Sequence, residues 1–223
     1  MGYHSSPLGA IVMTLFNARL GAWLGNPGPA GAKAWKNAGP HSAVAALTRE
    51  ALGMTDNESP YIYLSDGGHF ENLALYEMIL RRCQTILVLD AGCDPGFEFE
   101  DLGNAFRKIR IDLRVPIEFD HAQMKRVAGK SSRFAVGKIV YPDGPPGSLI
   151  YLKATVLGNE PPDVASYHNL HPDFPHESTA DQFYNESQTE SYRMLGLQTI
   201  RDLCDGWQGV TMEELAGHLF TPT

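Results

Sequence analysis

The chain has 223 residues, enough for one large α/β domain or one domain with an appendage. Its hydrophobic fraction of 43% and charged fraction of 20% are ordinary for a globular protein. A formal net charge of -8 and the lack of any basic stripe argue against nucleic acid as the main partner.

Residues up to about Pro60 read as helical with breaks. The most apolar segment, Pro7 to Gly25, approaches the length of a membrane span but carries Asn17 and Arg19 in its middle. An Arg at a membrane-helix centre costs roughly 2.5 to 3.5 kcal/mol. A packed helix over Leu8 to Leu24, with Ile11, Leu15 and Phe16 facing a core, is the expectation, and an interfacial helix touching lipid is the alternative. Gly25-Asn26-Pro27-Gly28-Pro29 stops it. Ser42 is placed to cap a second helix through Leu52, ended by Gly53.

The centre alternates. A strand over Tyr61 to Leu64, a helix over Phe70 to Cys83 and a strand over Thr85 to Leu89 come first. The unbroken run Thr85-Ile86-Leu87-Val88-Leu89 has the look of a strand buried on both faces. A helix over Phe99 to Leu113 and a strand over Val115 to Phe119 follow, so the pattern predicts an α/β fold with a parallel or mixed sheet flanked by helices. The basic clusters Arg81-Arg82 and Arg107-Lys108 with Arg110 read as solvated helix faces. After Asp120, strands over Arg133 to Tyr141 and Ser148 to Val156 are joined hairpin-fashion by residues 142–147, and helices are expected around Ala180 to Met194 and Met212 to Leu219. No internal boundary is evident; 1–223 reads as one domain, with 121–223 as its hairpin and helical extension.

Asp66 is the leading candidate for chemistry. It sits where a strand is expected to hand over to a helix, and ligands in α/β sheets gather at such strand ends. Gly67 and Gly68 permit backbone angles closed to other residues and a close approach by a second group. A helix cap followed by a turn accounts for the same residues. An aspartate has an ordinary pKa of ~3.9 and takes a serine proton only as attack proceeds. Ser65 points to the opposite face of the strand, and no G-x-S-x-G elbow occurs anywhere in the chain.

His168, His171 and His176, with Asp173 and Glu177, are the densest group of metal-ligand types, but Pro172 and Pro175 interrupt them and a polar loop explains them better. His69 beside the glycines suits capping or packing more than ligand orientation. Asp90 and Asp94 resemble an acidic metal or phosphate loop only weakly, and Cys93 reads as a small buried residue. Asp181 to Glu186 with Glu190 form one polar helix face, with Tyr184 and Tyr192 on the packed side. Cys83, Cys93 and Cys204 have no paired spacing, which argues against a disulfide framework or zinc knuckle and fits a cytoplasmic setting. No secretory signal is visible. No G-x-G-x-x-G or P-loop turn follows a predicted strand, so neither cofactor nor metal is expected.

Leu64-Ser65-Asp66-Gly67-Gly68 through Asn72-Leu73 and Tyr76-Glu77 to Arg81-Arg82-Cys83 resembles the carboxyl-terminal half of bacterial patatin-like phospholipases. Asp90-Ala91-Gly92 and Asp101-Leu102-Gly103-Asn104-Ala105 continue the likeness, as do Met1 to Pro7 and Pro175 to Gln182. The resemblance implies an acyl hydrolase acting on lipid esters through a Ser–Asp dyad, with Asp66 in the family's D-G-G motif as the base. It also implies that the serine elbow and the glycine-rich oxyanion loop belong upstream of Met1. On that reading the chain is the carboxyl-terminal part of a domain, inactive alone, whose partner is the missing amino-terminal half and whose membrane association comes through upstream sequence at the cytoplasmic face. The alternative is a non-catalytic lipase-like module that binds lipid or a protein partner.

Overall fold

The computed structural model describes residues 21–52, 54–178, 181 and 183–220, with the backbone alone at Glu50, Ala51 and His69. Two compact units divide between Asn72 and Leu73.

In the first unit, β1 (Gly21–Gly25) pairs antiparallel with β2 (Tyr61–Ser65) over its whole length, Trp23 opposite Tyr63. Their rings lie 5.6 Å apart at 55°, the kind of cross-strand aromatic pair that holds a short ribbon together. Residues 21–24 are therefore strand where helix was expected, and the remainder of that expected helix lies outside the described residues. Glycine at both ends of β1 makes this possible: a Cβ on Gly21 would strike the Leu64 backbone, and one on Gly25 the backbone of Ala34 and Trp35. Buried Asn26 then fastens the ribbon's far end, donating to the carbonyls of Asn57 (2.9 Å) and Ser59 (2.8 Å). Helix α1 (Ala43–Ala51) begins as expected at Ser42, whose hydroxyl accepts the Ala45 N–H at 3.3 Å; Gly53 lies outside the described residues.

The second unit is a four-stranded mixed sheet in the order β3 (Thr85–Asp90), β6 (Gly147–Lys153), β5 (Phe134–Ile139), β4 (Ile117–Phe119). Only β3 and β6 run parallel; β6–β5 and β5–β4 are antiparallel. The expected parallel succession of the strands at 61, 85 and 115 is overturned, because β2 pairs with β1 and β4 lies three places from β3. The strand buried on both faces is β6, not β3. Leu149 and Tyr151 join one core, Ile150 and Leu152 the other. On β3, Ile86 and Val88 are buried while Leu87 and Leu89 are exposed, since β3 is an edge strand with cover on one face.

Helices α2 (Leu75–Leu80) and α3 (Glu100–Lys108) pack Leu75, Ile79, Leu102 and Ala105 onto the Ile86–Tyr151 face. Acids open α3 and bases close it, as the helix dipole favours, and a π-helical turn (Ile109–Leu113) extends it to the expected end. Lys108 is buried rather than solvated. The expected helix over Phe70 to Cys83 survives only as α2, after a 3₁₀ turn at Gly67–His69. Asp120 caps α4 (His121–Ala128), a helix that periodicity did not single out. Helices α5 (Pro162–Leu170) and α6 (Glu186–Leu203) enclose Val164, Tyr167, Phe174 and Leu195. Leu203, with Leu215 and Ala216 of α7 (Met212–Phe220), covers the second sheet face. Asp181, Phe183, Tyr184 and Asn185 precede α6 rather than belonging to it, while Tyr184 does stack on Tyr192, 5.7 Å and 17° apart.

Candidate functional site

In the first unit β2 ends at Ser65 and Asp66 turns the chain. The Asp66 carboxylate is exposed and its Oδ1 accepts the Gly68 N–H at 2.8 Å, so it caps the 3₁₀ turn. Neither Gly67 nor Gly68 has a left-handed φ, so unusual backbone angles do not explain them. Space does distinguish Gly67: a Cβ added there meets nothing within 4 Å. The result is an exposed carboxylate on a turn with an unobstructed flank. The His69 side chain lies outside the described residues.

In the second unit the carboxyl ends of β3 and β6 carry a buried charge network. Asp90 on β3 lies in register with Lys153 on β6, and their side chains pair at 3.0 Å. Asp90 Oδ2 also accepts the Tyr151 hydroxyl at 2.5 Å, and Oδ1 accepts the Gly92 N–H at 3.1 Å. Lys153 reaches a second carboxylate, Asp94, at 3.1 Å. Burial pushes the Tyr151 phenol up, and the neighbouring Asp90 pushes it further, so it stays a donor. Burial also tends to raise the Asp94 carboxyl. The N–H donors of Glu98 and Phe99, together with Lys153, outweigh that and hold it below the usual range. This network fastens β3 to β6.

The three histidines do not converge. His168, on α5, sets Nδ1 2.8 Å from the Phe174 carbonyl oxygen. His171 stacks on Tyr167 with centroids 4.2 Å apart. His176 packs edge-on to Phe97, and its Nδ1 either accepts the Asp94 N–H (3.4 Å) or donates to the Gly92 carbonyl (3.3 Å) according to tautomer, while its buried Nε2 has no partner among the described residues. Glu177 is taken up by the Tyr167 hydroxyl and the Gln188 amide, each at 3.0 Å, and burial with that carboxylate pushes the Tyr167 phenol up to about 12. Among the described residues no three His, Cys, Asp or Glu side chains are grouped to hold a metal ion. Cys93 is exposed rather than buried, and its thiol donates to the His176 carbonyl at 3.0 Å.

Read locally, Asp90 and Asp94 form an acidic loop without a cation, because Lys153 stands 63 residues beyond Asp90. The signal lay in Leu149-Ile150-Tyr151-Leu152-Lys153, a lysine that closes an apolar run. A buried ammonium requires a carboxylate. Arg133, just before β5, follows the same rule through Glu160 and Asp202.

No family model, no curated protein and no solved structure matches the chain. Among the described residues no helix is long and apolar enough to cross a membrane.

Proposed function

We propose that this chain supplies the acid of a Ser–Asp dyad in a patatin-like acyl hydrolase that cleaves lipid esters, with Asp66 as the base. The observation that carries this reading is the exposed Asp66 carboxylate beside Gly67, whose flank is open to an approaching hydroxyl. Asp90 and Asp94, the other carboxylates at a strand end, are buried or half-buried and ion-paired with Lys153.

The serine comes from outside these residues, since no G-x-S-x-G elbow lies within them. In the dyad, Asp66 takes the serine proton as the oxygen bonds to the ester carbonyl carbon. Collapse of the tetrahedral intermediate breaks the ester C–O bond, and the leaving alcohol takes that proton. Water then attacks the acyl-enzyme and gives a proton to Asp66; the bond between the acyl carbon and the serine oxygen breaks, the serine oxygen takes that proton back, and the acid leaves. A glycine-rich loop of the same outside segment would bind the oxyanion, as the resemblance implies. The free thiols Cys83, Cys93 and Cys204 support a reducing compartment, in keeping with work at the cytoplasmic face of a membrane.

Hydrolysis of nitrophenyl butyrate tests the reading. The 223-residue chain alone should give background rates. With the sequence encoded upstream restored, activity should appear, and Asp66→Asn should lower kcat by about 10²- to 10⁴-fold, the usual worth of a positioned base. Full activity in that variant, or Asp66-dependent turnover by the isolated chain, overturns it. An upstream segment with no serine elbow would favour the non-catalytic module instead.

A further inference from the structure

At the carboxyl ends of β3 and β6 a pocket of about 340 Å³ opens against α6. That volume falls at the small end of ligand pockets, roughly 300 to 1,000 Å³, and the place is where α/β sheets bind ligands. Its walls are hydrocarbon: buried Leu152 and Leu195, with Ala154 between sheet and helix, and Leu89 and Ile200 toward solvent at 66% and 41% exposure.

The polar groups that border it are already engaged. Asp90 holds Lys153, Tyr151 and the Gly92 N–H, and Lys153 divides itself between Asp90 and Asp94. The Thr199 hydroxyl donates to the Leu195 carbonyl within α6 at 2.8 Å. The Tyr192 hydroxyl is bonded to Glu177. A ligand with a charged or strongly polar body would lose water for little return here.

Gly196 is the second observation. It stands inside the eighteen-residue helix α6, where glycine is the poorest non-proline choice, and it forms part of the pocket wall. A Cβ added there meets nothing within 4 Å, so no neighbour demands the glycine. What its missing side chain leaves is room inside the pocket. We infer that this pocket holds the unbranched hydrocarbon chain of a small ligand, with the ligand's polar end left at the mouth in water.

This inference is independent of the hydrolase reading, because its test measures binding and involves no ester cleavage. Titration calorimetry of the full chain with hexanol, octanol and decanol should show saturable binding that tightens about fourfold per added methylene. Decanoate should bind no more tightly than decanol, because Lys153 is buried and its charge is already balanced by two carboxylates, Asp90 and Asp94. Gly196→Leu should weaken decanol at least about tenfold by occupying the space, while keeping the circular dichroism of the parent and a melting midpoint no lower than the parent's. Leu89→Asp, at an exposed position, should weaken it independently and decides the matter if Gly196→Leu fails to fold. Unchanged affinity in a folded Gly196→Leu, no dependence on chain length, or a clear preference for decanoate overturns the inference. So does a dimer on sizing that Gly196→Leu dissociates without any alcohol binding by the parent, since the occupant is then a second copy.

Discussion

Arg133 and Glu160 meet with their side chains 0% and 1% exposed, an ion pair wholly removed from water. The guanidinium also donates to the Thr155 carbonyl and Asn159 at 2.9 Å each, and to Asp202. Glu160 in turn accepts the N–H groups of Leu157 (2.6 Å) and Gly158 (2.8 Å). Burial alone would raise the Glu160 carboxyl; those N–H donors and Arg133 reverse it and hold it low. One arginine thereby binds the entry to β5, the loop after β6 and the end of α6.

Removing only the cation should be costly. Arg133→Met leaves a buried carboxylate without its partner and should destabilise the protein by about 3 to 5 kcal/mol. Replacing both members, Arg133→Met with Glu160→Leu, should recover part of that loss. Urea unfolding of the two variants measures it; an Arg133→Met protein as stable as the parent would show the pair to be dispensable.

Those two residues also mark where sequence was informative and where it was not. Local chemistry was legible: the Ser42 cap of α1, the hairpin between β5 and β6, and the strand-to-turn switch at Asp66 all follow from residues close in the chain. Pairing between distant segments was not. The run Thr85 to Leu89 and the run Leu149 to Leu152 look equally apolar, and only the sheet order shows that the first is an edge and the second central. Likewise Gly21-Ala22-Trp23-Leu24-Gly25 is too short for its period to separate strand from helix, and its partner lies about forty residues away. The turn at Asp66 was legible from residues next to it, whereas the pocket beside α6 depends on that helix folding back over β3 and β6.

His176 should make the second unit sensitive to mild acid. Burial, the largest influence, lowers its pKa from the ordinary 6.5; the Gly92 carbonyl opposes this, and the nearby Lys153 supports it. A folded pKa below the unfolded one means that the unfolded chain binds the proton more readily. Stability is then complete above about pH 6.5 and declines as pH falls from there toward the lowered folded value. Asp94 is also depressed, but from 3.8, so its contribution is lost only at more acid pH. His176→Asn should flatten the slope of unfolding free energy just below pH 6.5 whatever it does to absolute stability. A parent protein whose urea midpoint is constant through that interval would contradict the assignment.

The free side of β3 should govern self-association. Thr85-Ile86-Leu87-Val88-Leu89-Asp90 has no proline, glycine or lysine to blunt it. It is an edge strand among the described residues, with Leu87 38% and Leu89 66% exposed. Unprotected apolar edges recruit further strands, and an inward or edge lysine is a common natural protection. The isolated chain should therefore form concentration-dependent oligomers on sizing chromatography with light scattering. Leu87→Lys, which leaves the pocket residues untouched, should shift it to monomer, because a second strand would have to bury the ammonium. A parent chain that stays monodisperse and monomeric at high concentration would mean that β3 is already protected.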